Sequence, residues 1–382
     1  MKVNQIYSLI NSINKQMWGE NAITVTDLSG IISLGKQLEI NEDDSDAFLG
    51  ALVDRIGKTV IRTLDLELDF PQLFMDSFQF GAILQKITVN PFDAIENSDW
   101  NVGENGFTPT FADVHKPSVN VKYFKGASTW SYRTTIPSTT FFTAFTSAEA
   151  MNSFIDAIMV ALTDSMVVSI NNMSRLAVDN LIAEKIKANN GVINLLSLYN
   201  GESGTLTASE ALRNKEFLRF ASMTIRNYID YMKEPSKLYN VGGMLRATSR
   251  DNMHCIMLTD FVSAMESYLY SDSFNYNFVE LPLFNKVNHW QGSGQSVGFA
   301  NNSSINIIPS SEEGEDTPTA VTQSGIVCVL ADRQSVAVGV DKRRVSKFVN
   351  DIDDYVNTKT SATIQWFNDV SENAVIFTIA DV

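Results

Sequence analysis

The stretch TSAEAMNSFIDAIMVALTDSMVVSINNMSRLAVDNLIAEKIKANNG, residues 146–191, decides the fold. Between Pro137 and Gly191 there is neither glycine nor proline, so no residue breaks a helix by its own backbone chemistry. Thr146, Ser147, Ala148 and Glu149 read as a capping box. The Thr146 hydroxyl accepts from the Glu149 amide, and the Glu149 carboxylate reaches back to the cap. Phe154, Ile155, Ile158, Met159, Leu162, Met166, Ile170, Met173, Leu176, Ala177, Asn180 and Leu181 then trace one side at helical spacing. Asp156, Thr163, Asp164, Asn171 and Arg175 mark the polar side. Asn189, Asn190 and Gly191 suit a left-handed stop. The spacing predicts a helix from Ser147 to Asn189, about 65 Å long at the usual rise. Globular helices average about 11–12 residues, so one this long spans an elongated subunit or enters a coiled coil. Its irregular heptads favour the first.

Before this helix the chain lacks core-grade material. In residues 1–45, Ile6, Leu9, Ile10 and Ile13 share a helical face, and a polar break follows at Asn41, Glu42, Asp43 and Asp44. This segment reads as an arm that must lie on something else. Phe48, Leu52, Ile56, Val60 and Leu64 resume a helical pattern, and the alternation from Leu64 to Phe70, ended by Pro71, predicts a strand or turn. From residue 81 to 137 the pattern is a long hairpin-like excursion. A strand from Ile83 to Val89 stops at Asn90 and Pro91, and strands return at Val119–Tyr123 and Thr129–Thr135. Such a loop needs a partner surface.

After the helix, the pattern predicts an amphipathic helix from Glu210 to Met232, a buried strand at Cys255–Leu258 and a helix from Thr259 through Tyr270. A loop rich in Gly, Ser and Asn covers 291–320, and an apolar strand runs from Ile326 to Leu330. Val336, Val338 and Val340 alternate behind it, and strands at Ala362–Phe367 and Ala374–Ile379 close the chain. There is no internal repeat.

The formal net charge of −15 argues against a protein built to hold nucleic acid by neutralising phosphates. The one tight basic cluster, Lys342, Arg343 and Arg344 with Lys347 nearby, is interspersed with Asp341, Asp351, Asp353 and Asp354 and reads as a solvated loop. Cys255 and Cys328 lie in apolar runs and read as buried free thiols, which fits a reducing compartment. The N-terminus opens no apolar signal region, and no stretch approaches the roughly 18 apolar residues that cross a bilayer.

Chemistry is hard to find. His115, His254 and His289 have no partners at metal-ligand spacing. His254 beside Cys255 suggests a base and nucleophile, but neighbours on a strand point to opposite faces. Gly292 to Gly298 contains G-x-G without the fingerprint's third glycine spacing, and Asp351 to Asp354 begins like a calcium loop without its Gly or closing Glu. The sequon at Asn172 falls inside the long helix. No catalytic, cofactor-binding or metal residues are assigned.

The chain resembles the major capsid proteins of tailed bacteriophages, with the HK-ninety-seven-like fold shared with encapsulin shells. The residues carrying the likeness are Val53–Val60, Phe80–Ile87, the join from Thr135 to Pro137 into Phe145 and the long helix, and Val329–Val336. These look like segments of capsid proteins from small short-tailed phages of Gram-positive hosts, the phi-twenty-nine-like group and relatives. The resemblance covers roughly residues 46–380. It implies an α+β capsid fold with an N-terminal arm (1–45), a first part of a peripheral domain (46–80) and an extended β loop (81–137). The spine helix follows within the peripheral domain (138–190), then an apical domain (191–332) and terminal strands returning to the periphery (333–382).

The resemblance further implies a non-enzymatic subunit that assembles with itself into hexamers and pentamers of an icosahedral shell around double-stranded DNA. A separate scaffolding protein and a portal are expected partners. DNA is contacted weakly and without sequence specificity, no membrane is involved, and assembly takes place in the host cytoplasm before residence in the virion. Candidate interface residues are Trp100, Phe107, Phe111, Lys122, Tyr123, Trp130 and Tyr132. Some family members cross-link lysine to asparagine; Lys116, Lys122 and Lys125 lie near the loop, but cross-linking is not expected. The alternatives are an encapsulin-like compartment shell, a soluble enzyme with an unrecognised motif, and a mostly β tail or baseplate protein.

Overall fold

The structure is a computed structural model. It describes residues 3–19, 22–40, 44–45, 47–52, 70, 73–74, 84–89, 119–124, 127–202, 204–269, 284–291, 303–312, 317–350 and 355–381. Helices α1 (Val3–Trp18) and α2 (Leu28–Ile40) come first, followed by strands β1 (Leu84–Val89), β2 (Val119–Phe124) and β3 (Ala127–Pro137). Helix α3 (Ser138–Thr143) and a 3-10 turn at 144–146 lead into the spine, α4 (Ala148–Lys187). The next group is β4 (Val192–Asn194), α5 (Leu195–Glu202), α6 (Ala208–Ala211), α7 (Lys215–Tyr231), β5 (Met253–Leu258) and α8 (Thr259–Leu269). Strands β6 (Phe284–Val287), β7 (Ile305–Ile307), β8 (Val321–Gln323), β9 (Ile326–Asp332), β10 (Val336–Asn350), β11 (Tyr355–Asn368) and β12 (Ala374–Thr378) complete the order.

The spine runs as expected, with a corrected cap. Residues 144–146 already turn helically, so the extended backbone of an N-cap falls on Ser147 and not on Thr146. Ser147 Oγ accepts from the Ala150 amide at 3.0 Å, while the Thr146 hydroxyl donates to the Thr143 carbonyl. At the other end Asn189 (φ 47°) and Gly191 (φ 67°) turn left-handed. Gly191 is needed for space as well, because a Cβ there would meet the Ala374 carbonyl oxygen at 2.6 Å.

This helix joins two cores. Its first half packs Met151, Ile155, Ile158 and Leu162 with Ile10, Ile13, Leu34, Phe48, Phe141 and Phe145. Its second half packs Leu181 and Ile182 with Phe217, Ile225, Ile256, Val329 and Phe377. Two expectations change here. The N-terminal segment lies on its own spine, contributing Ile10 and Ile13 to a core instead of waiting for a neighbour. By length and composition alone, Glu149–Lys187 is a helix able to cross a bilayer, contrary to the sequence reading. Met151, Ile155, Ile158, Leu162, Leu181 and Ile182 serve the two cores, whereas Val160, Val168 and Leu176 are exposed.

Five strands form one sheet in the order β4-β12-β9-β5-β6, and three form another, β10-β11-β3, all antiparallel. In β5 and β9 every residue is buried. That is why both read as unbroken apolar runs: a strand covered on both faces has no polar side. The last strand does not return beside β11. It pairs antiparallel with β9 and parallel with β4, placing the chain's end in the five-stranded sheet. Gly325 (φ 72°) lets it do so, since a Cβ there would lie 2.0 Å from the Ile379 carbonyl oxygen.

Two other readings are corrected. The helix expected from Glu210 to Met232 is two helices, because Asn214 caps α7 by accepting the Phe217 amide at 2.9 Å. The basic stretch 342–347 is strand, not loop: β10 continues to Asn350, with a bulge between Asp341 and Arg343. The expected strand at 64–70, the Gly292–Gly298 motif and Asp351–Asp354 lie outside the described residues, apart from Phe70.

Candidate assembly surface

The β1–β2 hairpin is amphipathic in the reverse sense from a sheet that covers a core. The register pairs Gln85 with Tyr123, Ile87 with Val121 and Val89 with Val119 on one face. Lys86 pairs with Lys122 and Thr88 with Asn120 on the other. The apolar face is turned outward: Ile87 is 61% exposed, Val89 52% and Tyr123 64%. The lysine face is turned onto the body of the subunit.

Two lysines directly opposite each other on a hairpin repel. The repulsion is offset by a turn between β11 and β12. Lys86 Nζ lies 2.8 Å from both Asp369 Oδ2 and Glu372 Oε1, and Lys122 Nζ lies 3.0 Å from Asp369 Oδ1. Arg246 adds a third cation, 3.3 Å from Glu372. Burial alone would raise the Asp369 carboxyl. Hydrogen bonds from Lys86 and Ser371, the Lys86 charge and Lys122 outweigh it and hold the group at about 2. The turn is rigid: the Asp369 amide donates to Ser335 O at 2.7 Å, Val241 N to Val370 O at 2.8 Å, and Ala374 N to Tyr239 O at 2.9 Å. Beside this ionic knot Phe124 stacks on Phe367 with ring centroids 5.2 Å apart, and Asn120 reaches Met244 Sδ at 4.0 Å.

The candidate residues separate accordingly. Tyr123 projects from the outward face and Trp130 is 41% exposed. Tyr132 is half-buried against the core of the first spine half, and Lys122 is committed to Asp369 of its own chain. Trp100, Phe107 and Phe111 lie outside the described residues. Sequence reasoning missed Lys86, Arg246, Asp369 and Glu372. The available signal was the alternation of Lys86 with Ile87 and Val89, and of Lys122 with Val121 and Tyr123, which is that of a sheet with two unlike faces.

Among the described residues no group of His, Cys, Asp and Glu could hold a metal ion. Cys255 and Cys328 are free and buried with sulfurs 3.7 Å apart, and burial pushes the Cys328 thiol up. Burial lowers His254, lowers Lys185 to about 7 and raises Asp179 to about 7. Lys185 is held by the Asn190 side chain at 2.6 Å and the Tyr239 carbonyl at 2.7 Å. Among the described residues Asp179 Oδ1 has no hydrogen-bond partner.

The fold is that of phage capsid proteins, HK-ninety-seven-like. A capsid chain of Staphylococcus phage Andhra superposes with a TM-score of 0.55 at 11% identity, over 82% of this chain and 84% of that one. A chain from a structure of the head fiber and inner core protein of native bacteriophage P68 superposes with a TM-score of 0.51 at 12% identity, over 82% and 85%. The chain belongs to the family of Phi29-like phage major capsid proteins, whose model matches residues 10–378. The major capsid protein of Bacillus phage PZA is 21% identical over 282 residues, 72% of this chain. The match spans 58% of that relative's length. The family match favours a phage head over a cellular compartment shell.

Proposed function

We propose that the chain assembles with copies of itself into a closed icosahedral head, built from hexamers and pentamers, that encloses double-stranded DNA. The observation that carries this reading is the inside-out hairpin. Its apolar face, with Ile87, Val89, Val119, Val121 and Tyr123, is uncovered in the single subunit while the lysines of its charged face are half-buried against the body. Contiguous apolar surface of this kind marks a protein interface. The extended loop lies over a neighbouring subunit, and Tyr123 and Trp130, with Trp100, Phe107 and Phe111, supply contacts. The role is structural, without catalysis or cofactor. A separate scaffolding protein and a portal take part, assembly takes place in the host cytoplasm, and contact with packaged DNA is weak and nonspecific.

Negative-stain imaging of the protein expressed with its scaffold tests the reading. Closed particles of uniform size are expected; subunits that stay monomeric under those conditions would contradict it. Deleting residues 95–118 is expected to leave a folded subunit that forms no particles, and unchanged assembly would remove the loop from the interface.

A further inference from the structure

The chain has two cysteines in 382 residues, and the fold brings them into contact. Cys255 on β5 and Cys328 on β9 are fully buried, and their sulfurs lie 3.7 Å apart. Strand register is the cause. Cys255 stands opposite Leu330 and Cys328 opposite Met257, so the two thiols are diagonal neighbours on one side of an antiparallel pair. Phe377, opposite Cys328 on β12, stacks on Tyr228 of α7 with ring centroids 5.4 Å apart. The thiols therefore sit between the sheet and α7. With no third cysteine in the chain, neither sulfur has another thiol of its own subunit to meet.

Their place in the sheet gives the contact its meaning. In the order β4-β12-β9-β5-β6, the β9–β5 pair is the seam that joins three strands to the other two. Five residue pairs hold it, from Met253 with Asp332 to Met257 with Cys328. A bond between the sulfurs would span 73 residues of chain and enclose α8, β6, β7 and β8. A disulfide needs its sulfurs about 2.0 Å apart, so they must approach by roughly 1.7 Å, a shift within reach of rotation about the two χ1 angles. Burial pushes the Cys328 thiol up, and the Cys255 thiol beside it acts in the same direction. Thiolate, the reactive form, is scarce while the sheet is closed. The pair therefore stays reduced through folding in a reducing compartment.

We propose that Cys255 and Cys328 are a disulfide site, closed by a hydroperoxide during brief local openings between α7 and the sheet, which staples β5 to β9. In such an opening one thiol loses its proton and its sulfur attacks a peroxide oxygen. The O–O bond breaks, the leaving hydroxide takes up the proton as water, and a sulfenic acid remains. The second sulfur then displaces the sulfenic hydroxyl, which leaves as water with the second thiol's proton. Two thiols and one hydrogen peroxide give one disulfide and two waters, with two electrons passing from sulfur to oxygen. The bond needs no neighbouring subunit. Its use rests on the shell-subunit reading: heads assembled in the reduced state harden once released into an oxidising medium.

Hydrogen peroxide treatment of wild-type protein, then alkylation in denaturant and peptide mass spectrometry, tests the site. The expected product joins tryptic peptides 251–286 and 287–333, lighter by two hydrogens and separated by a reductant. In an equal mixture of light and nitrogen-15-labelled protein, both peptides should come from one copy. Met223, 56% exposed on α7, reports in the same digest that the oxidant has acted. Thiols that still alkylate fully once Met223 is a sulfoxide would refute the site, as would sulfinic acids in place of the bond, or links only between copies.

The linked protein is expected to melt about 5 °C higher than the reduced form and to lose that gain on reduction. A bond without the gain would remove the staple. Cys328→Ala should gain nothing from peroxide, and a gain equal to the wild type's would place the effect elsewhere; the wild-type linkage is read independently of this variant. Linkage and stabilisation in subunits that never assemble would leave the site standing and remove its use in a head.

Discussion

The five-stranded sheet and the β1–β2 hairpin solve the problem of an apolar strand in opposite ways. In the sheet, β5, β9 and β12 are buried at every position, and helices of the same chain cover them. In the hairpin, the lysines of the charged face are half-buried, and Ile87, Val89 and Tyr123 are left in solvent. The first region is finished within one subunit. The second is held at its root by Lys86, Lys122, Asp369 and Glu372, so its direction is set by charge and its apolar face stays free for another molecule. A chain can therefore be stable alone and still present surface that is stable only in company.

The largest expected effect breaks the finished region. Phe377→Ala removes a fully buried ring from the main core and is expected to cost about 3–5 kcal/mol in urea unfolding. The double change Ile87→Ser, Val121→Ser removes as much apolar surface from the hairpin, but it is expected to shift subunit stability by under about 0.5 kcal/mol and to abolish particles. Comparable destabilisation by both would erase the contrast. Next is the knot. Asp369→Asn leaves Lys86 and Lys122 facing each other without their shared anion and is expected to cost about 2–3 kcal/mol, less than a fully buried pair because both lysines keep some solvent contact. The folded-state value of about 2 lies below the ordinary 3.8. The stabilisation is therefore complete above 3.8 and lost as pH falls through about 2. Acid titration of the wild type and Asp369→Asn should converge only at that end.

Smaller effects sharpen the comparison within the spine. Burial raises Asp179 to about 7 from 3.8, so the folded state binds the extra proton, and stability declines as pH rises through that window. Asp179→Asn is expected to raise the melting temperature by about 2–4 °C at pH 8 and to leave it unchanged at pH 3. An equal gain at both would assign the effect to packing. Ser147→Ala is expected to cost about 1 kcal/mol, and Thr146→Ala clearly less, because the cap is on Ser147.

How much of this was legible follows from distance along the chain. The spine, its left-handed stop and the buried strands at Cys255–Leu258 and Ile326–Leu330 are written in local periodicity and were read correctly. The cap was displaced by one residue because the turn at 144–146 competes for Thr146. The Lys342–Lys347 stretch reads as loop from sequence because a strand with a solvated face carries polar residues there. The N-terminal segment reads as an arm because its partners, Phe141, Phe145 and Ile155, lie more than a hundred residues away. The knot was invisible for the same reason: Lys86 and Glu372 are 286 residues apart. The single outward feature that sequence did mark was the under-cored excursion from 81 to 137. At 84–89 and 119–124 the structure sharpens it into a hairpin with an apolar and a charged side.

Hydroxyl-radical footprinting at Tyr123 tests the central claim most directly. In the free subunit its side chain is 64% exposed and should react freely. In assembled particles the account predicts that its oxidation falls severalfold, while that of Tyr231 on the exposed side of α7, measured in the same samples, supplies the reference. Equal oxidation of Tyr123 in free and assembled protein would mean that no neighbour covers the hairpin, and it would contradict the account.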